Sequence, residues 1–141
     1  MSNQGFKFDQ ARLQDFELIV DVGDTLSPEG LTHVELSGNG NLVAEQRREK
    51  EIGEKYEGRI DGETTASMLR KASEFDWERR FPSRPGLPDE AVVQWTLRDR
   101  KGAAVTVKVW LREAEKNGVM APVLDGLRKD VDHMTDGKLY L

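Results

Sequence analysis

The residues able to do chemistry are few and scattered. His33 and His133 are the only imidazoles, and the chain has no cysteine. His33 falls in a stretch with strand-like alternation and His133 near the end of a helix-like one. They do not form an i, i+4 pair, and no Glu-rich cluster accompanies either in the sequence, so no metal site is expected. A histidine close to a helix C-terminus is favourable through the macrodipole alone. Serine and threonine are plentiful, but none stands in a G-x-S-x-G elbow or an S-x-x-K arrangement. Gly38 and Gly40 fit a hairpin rather than a phosphate-cradling loop before a helix. Asp89 and Glu90 read as turn residues at the start of a strand, not as an acid/base pair. The residues with most to offer a partner are Trp77, Arg79, Arg80, Phe81 and Arg84, gathered around a proline-rich stretch, together with Trp110. Tryptophan and arginine combine a broad apolar face with a planar donor fork, the chemistry of binding hot spots. The competing expectation is that Trp77 and Phe81 close the edge of the core while the N-terminal segment covers Trp110.

Composition narrows what these residues can serve. A chain of 141 residues is the size of one domain, large enough to bury a core without metal or disulfide. Acidic residues outnumber basic ones by 26 to 21, giving a net charge of −5 with the two signs mixed along the chain. A nucleic-acid partner, which calls for a basic surplus, is therefore not expected. The absence of cysteine excludes disulfides, thiol catalysis and cysteine-ligated clusters. No apolar run approaches the ~18 residues of a membrane span, and Met1–Gly5 has no signal-peptide pattern. The expectation is a cytoplasmic protein, unless a signal peptide has been trimmed away.

The elements that must position the candidates follow from periodicity. Residues 1–15 read as a loose N-terminal segment, with one helical turn around Gln10 to Gln14, and 16–141 as one domain. Phe16, Leu18, Val20 and Val22 alternate with Glu17, Ile19 and Asp21, predicting a strand. Leu31–Leu36 and Asn41–Arg48 predict a hairpin about Ser37-Gly38-Asn39-Gly40. Lys50–Lys55 reads as a charged, exposed stretch, with a short strand over Tyr56–Ile60. Asp61 is placed to cap a helix carrying Met68, Leu69, Ala72 and Phe75 and ending near Asp76. Three prolines between Phe81 and Asp89 then enforce an irregular connection. Ala91–Arg98 and Ala103–Arg112 predict a second hairpin, in which Trp110 falls with Thr106, Lys108 and Arg112 on the polar face, away from the valine row. Met120, Val123, Leu124, Leu127, Val131 and Met134 predict a last amphipathic helix, with Pro122 in its first turn. The expected fold class is α+β: an antiparallel sheet built from two hairpins plus a first strand, with two helices packed on one face, in a ββαββα-like order.

Two resemblances carry functional expectations. The string Leu18-Ile19-Val20-Asp21-Val22-Gly23-Asp24-Thr25-Leu26 resembles the first motif of the haloacid-dehalogenase-like phosphatases. That likeness implies Asp21 as nucleophile, with Asp24 or Thr25 nearby for metal or proton work. Gly23 stands where that family usually has a second Asp, and a hairpin follows where it has a crossover helix. The whole order of elements, with the helix reading Met68-Leu69-Arg70-Lys71-Ala72-Ser73-Glu74-Phe75 before a Pro-Asp loop, resembles the emfourin-type small bacterial domains. The resemblance implies an inhibitor-like binder of thermolysin-like metalloproteases. Val22-Gly23-Asp24 replaces the double glycine expected after the first strand, and no inhibitory motif transfers. The leading expectation is a bacterial-type, non-enzymatic domain that binds another protein through Trp77, Arg79, Arg80, Arg84 and Trp110, with no cofactor, nucleic acid or membrane partner. The alternatives are a phosphatase-like enzyme using Asp21 and a binder of an apolar small ligand between sheet and helices. A homo-oligomer is left open.

Overall fold

The computed structural model describes residues 8–23, 30–48, 51–82, 84–86, 90–139 and 141, with only the backbone for 10, 51 and 52. Asp24, Thr25, Leu26, Asp89 and Tyr140, on which parts of the sequence reading rest, lie outside them. Six strands form one sheet: β1 (Phe16–Gly23), β2 (Leu31–Ser37), β3 (Asn41–Arg48), β4 (Glu51–Arg59), β5 (Val92–Asp99) and β6 (Ala104–Trp110). Their order is β4-β3-β2-β1-β5-β6, and every neighbouring pair is antiparallel. The helices are α1 (Gly62–Ser73), α2 (Leu111–Lys116) and α3 (Met120–Thr135). A 3₁₀ segment, Gln10–Asp15, leads into β1, with the Phe8 ring tilted against that of Phe16 at 4.8 Å.

Alternation decides which face each strand buries. Leu18, Val20, Leu36, Val34, Trp95, Leu97, Val107 and Val109 point into one layer, where they meet Leu69, Ala72, Leu124 and Leu127 of α1 and α3. The space between sheet and helices, which the apolar-ligand reading requires, is filled by side chains such as Leu18, Trp95, Leu69 and Leu124, each no more than 1% exposed. The Trp95 indole N–H finds no hydrogen-bond acceptor among the described residues, and its ring meets Phe75 edge-on at 4.9 Å.

Local chemistry explains the boundaries. Gly40 takes φ +95° in the β2–β3 turn, a conformation that favours glycine. Asp61 caps α1 through its carboxylate, which accepts from the Thr64 N–H at 2.8 Å. Asn117 accepts from the Val119 and Met120 N–H groups at 2.9 and 3.0 Å and so starts α3.

The structure departs from the periodicity in three places. The stretch expected to be an exposed charged segment up to Lys55 is the first half of β4, an edge strand in which Glu54 and Lys55 are exposed. The expected strand through Arg112 ends at Trp110, and a third helix, α2, begins at Leu111, where Leu-Arg-Glu-Ala-Glu-Lys is rich in helix formers. The first helix stops at Ser73 rather than near Asp76, although Phe75 still joins the core at 5% exposure.

Candidate functional site

The three helices pack with the core face of the sheet, and none of them covers the other face. Two constellations stand out there. The first follows from register. On β1, Asp21 points away from the core, and β1–β2 pairing sets it directly opposite His33. Glu35, two residues on, shares the same face of β2. His33 Nδ1 lies 2.6 Å from Asp21 Oδ1, and Nε2 lies 2.7 Å from Glu35 Oε2. Both ring nitrogens are thus engaged by carboxylates, and the ring is 7% exposed.

The hydrogen bond to Asp21 is the main influence on His33. Together with the bond to Glu35, it outweighs burial and holds the imidazole pKa above its usual 6.5. Burial pushes the Glu35 carboxyl up, but His33, Glu17 and Arg98 reverse the effect and leave it below 4.5. Arg98 Nε donates to Glu17 Oε1 at 2.6 Å, and Arg47 pairs with Glu45 on the same face. When protonated, His33 donates through both ring nitrogens and has no lone pair to offer a substrate or a metal. Among the described residues, no group of three or more acidic or histidine side chains could hold a metal ion. Two carboxylates that the sequence does not place beside His33, Asp21 and Glu35, meet it in space across two strands, and their bonds tie up both ring nitrogens.

Asp21 therefore accepts from His33 on an antiparallel sheet. The crossover to a parallel strand that the phosphatase motif implies is absent among the described residues, since β1 is followed by the antiparallel β2.

The second constellation is a corner at the end of β6. Trp110 sits on the outer face, as its alternation implied, and is half-buried. Among the described residues, the proline loop covers it. The Trp110 Nε1–H donates to the Arg84 carbonyl at 3.0 Å. The ring of Phe81 packs 4.9 Å from it, and the Arg84 guanidinium lies 6.0 Å from its centroid. Gly86 completes the cover: a Cβ there would lie 2.5 Å from the indole, so this close approach requires glycine. Arg84 forks onto Glu90, donating through Nη1 and Nη2 at 3.0 and 2.7 Å. Glu113, in the first turn of α2, accepts from the Trp110 N–H at 3.3 Å and from Arg79 Nη2 at 2.8 Å.

Of the residues singled out by sequence, the structure brings Arg84, Phe81 and Trp110 into one contact, ties Arg79 to it through Glu113, and leaves Arg80 exposed. Trp77 stands apart. It is half-buried against the core, its Nε1–H donating to the Ala72 carbonyl at 3.0 Å and its ring 5.4 Å from Phe75. Glu90 and Glu113, which hold the corner together, were not legible as partners, because both bonds span irregular chain.

A polar cleft of about 520 Å³ opens at the opposite end of the sheet, lined by Gln14, Glu17, Ser37, Asn39, Arg98 and Arg100 among others. Its cations are already matched, Arg98 by Glu17 and Arg100 by Asp15 at 3.5 Å. No helix among the described residues is long and apolar enough to cross a membrane. Neither the protein-family models nor the curated proteins compared with the chain give a match.

Proposed function

We propose that this chain is a non-catalytic domain that binds another protein, and that the corner built on Trp110 is the heart of its binding surface. One observation carries the reading: an amphipathic ring, partly exposed, is fixed by its own indole bond to the Arg84 backbone and flanked by Phe81 and Arg84. Rigid aromatic area next to a guanidinium loses little conformational entropy on binding, which is why such groups dominate interface energetics. Exposed Arg80 lies one residue from Phe81 and adds a cation to the rim. Arg79 supports the corner through Glu113, and Trp77, set apart from it, offers its half-buried ring at the core edge. The emfourin-type resemblance supplies the partner class to try first, a metalloprotease of the thermolysin type, and the proposal places the domain in the bacterial cytoplasm.

The chain has no cysteine, so a single thiol introduced at Arg80 can carry a photo-crosslinker. A thermolysin-type protease and a cell extract serve as targets. Crosslinks that form from position 80, and that Phe81→Ala reduces, support the proposal. Crosslinks no more frequent from position 80 than from a thiol at Lys55, on the far edge, refute it.

A further inference from the structure

The two edges of the sheet are built differently, and the difference points to a second copy of this chain. In an antiparallel ladder, alternate residues spend their N–H and C=O groups on the neighbouring strand, and the rest point away from it. On β6 the phase is fixed by two bonds of 2.9 Å, Asp99 N–H to the Ala103 carbonyl and Leu111 N–H to the Ala91 carbonyl. Pairing of β6 with β5 therefore uses Val105, Val107 and Val109. Ala104, Thr106 and Lys108 aim their backbone groups at the edge where no described strand lies, and their side chains are exposed.

The same argument on β4 starts from the Ile60 N–H bond to the Gly40 carbonyl at 2.8 Å. There the outward residues are Lys55, Glu57 and Arg59, and a register shift lies between Glu45 and Arg47. Charges and a bulge are the devices that keep a foreign strand off an edge. On β6 they are missing apart from Lys108: the strand reads Ala-Val-Thr-Val-Lys-Val-Trp, rich in strand formers.

We infer that β6 pairs antiparallel with β6 of a second copy about a two-fold axis at Thr106. In that register Thr106 faces Thr106, a favourable cross-strand pair, and Ala104 faces Lys108 of the second copy in both directions. Each of the three facing pairs can exchange two N–H···O bonds, and no like charges stand opposed. An axis at Lys108 would set lysine against lysine, and an axis at Ala104 would run the pairing into the turn at Gly102. In this register the edge of β6 is complementary to its own copy, and that is the occupant the inference commits to. Trp110 lies beyond the paired stretch, so this inference does not rest on the corner proposal.

Sedimentation of the full chain from micromolar to near-millimolar concentration tests it. A dimer is expected. Thr106→Pro removes an N–H that β5 does not use, so the fold should persist by circular dichroism while the dimer is lost. If the proline variant does not fold, two others decide. Thr106→Lys opposes two lysines and should weaken the dimer, with recovery in salt. Ala104→Glu faces Lys108 twice and should tighten it roughly fivefold. A monomer across the whole range overturns the inference, as does a dimer that neither Thr106→Lys nor Ala104→Glu alters. A monomer that instead binds an added peptide of the β6 sequence also overturns it, in favour of a foreign strand.

Discussion

The cluster around His33 and the corner around Trp110 use the same device to opposite ends. Each fixes a planar ring between partners brought in by another part of the chain. At His33 both ring nitrogens are consumed by Asp21 and Glu35, and the ring is nearly covered. At Trp110 the indole nitrogen is consumed by the Arg84 carbonyl and the Arg84 guanidinium by Glu90, while part of the aromatic surface stays exposed. A site that satisfies itself stabilises the fold; a site that holds its groups rigid but incompletely covered has something left for a partner.

The comparison breaks most visibly at the histidine. His33→Ala leaves two carboxylates facing each other without their shared donor. The loss should be about 2 kcal/mol, below the full cost of breaking a buried pair because Asp21 and Glu35 keep some solvent contact. Urea denaturation checks this, and a change within experimental scatter would mean the cluster contributes nothing to stability.

Trp110→Ala should cost somewhat less, about 1.5 kcal/mol, because the ring is only half-buried. Its distinctive effect is local: residues 81–86 lose their anchor and should be cut first in limited proteolysis. If the loop is cut no faster than in the parent chain, the indole is not what holds it.

The pH dependence separates the two sites further. His33 has its pKa raised in the fold, so its contribution is full below 6.5 and fades as pH rises through the folded value. Glu35 has its pKa lowered, so its contribution is full above 4.5 and fades as pH falls through the folded value. Stability should therefore be greatest between these two pH values. In His33→Gln the alkaline decline should vanish, and thermal melts across pH that kept it would point to another group.

The smallest expected effect is at Arg80. Arg80→Ala should change stability by no more than about 0.5 kcal/mol, as an exposed residue, yet weaken capture of a partner. An unchanged capture together with unchanged stability would remove Arg80 from the surface.

Periodicity made the sheet's two hairpins, the Asp61 cap and the α3 stripe legible, because each is written in consecutive residues. It missed α2, because Val105, Val107, Val109 and Leu111 continue a strand-like alternation past the point where the backbone turns helical. It missed the first half of β4, because an edge strand guarded by charge looks like a solvated run. The candidate site was half-legible. Alternation set Trp110 on the polar face and put Asp21, His33 and Glu35 each on the outer side of its own strand. Whether Asp21 meets His33 depends on the register across 24–30, which no local pattern fixes. Likewise the fork of Arg84 onto Glu90 depends on the path of an irregular loop.

The central position of β1 has a consequence for biosynthesis. Its first partner, β2, follows directly, but its second, β5, comes much later: 81 positions separate Glu17 from Arg98, which bond across that seam. A chain growing from its N-terminus can complete the meander from β1 to β4 while one flank of its oldest strand still has no neighbour. Closing so distant a contact is slow, and an open flank in the interval invites wrong pairing. Until β5 emerges, the flank of β1 that lies at the middle of the finished sheet is the nascent chain's most adhesive surface.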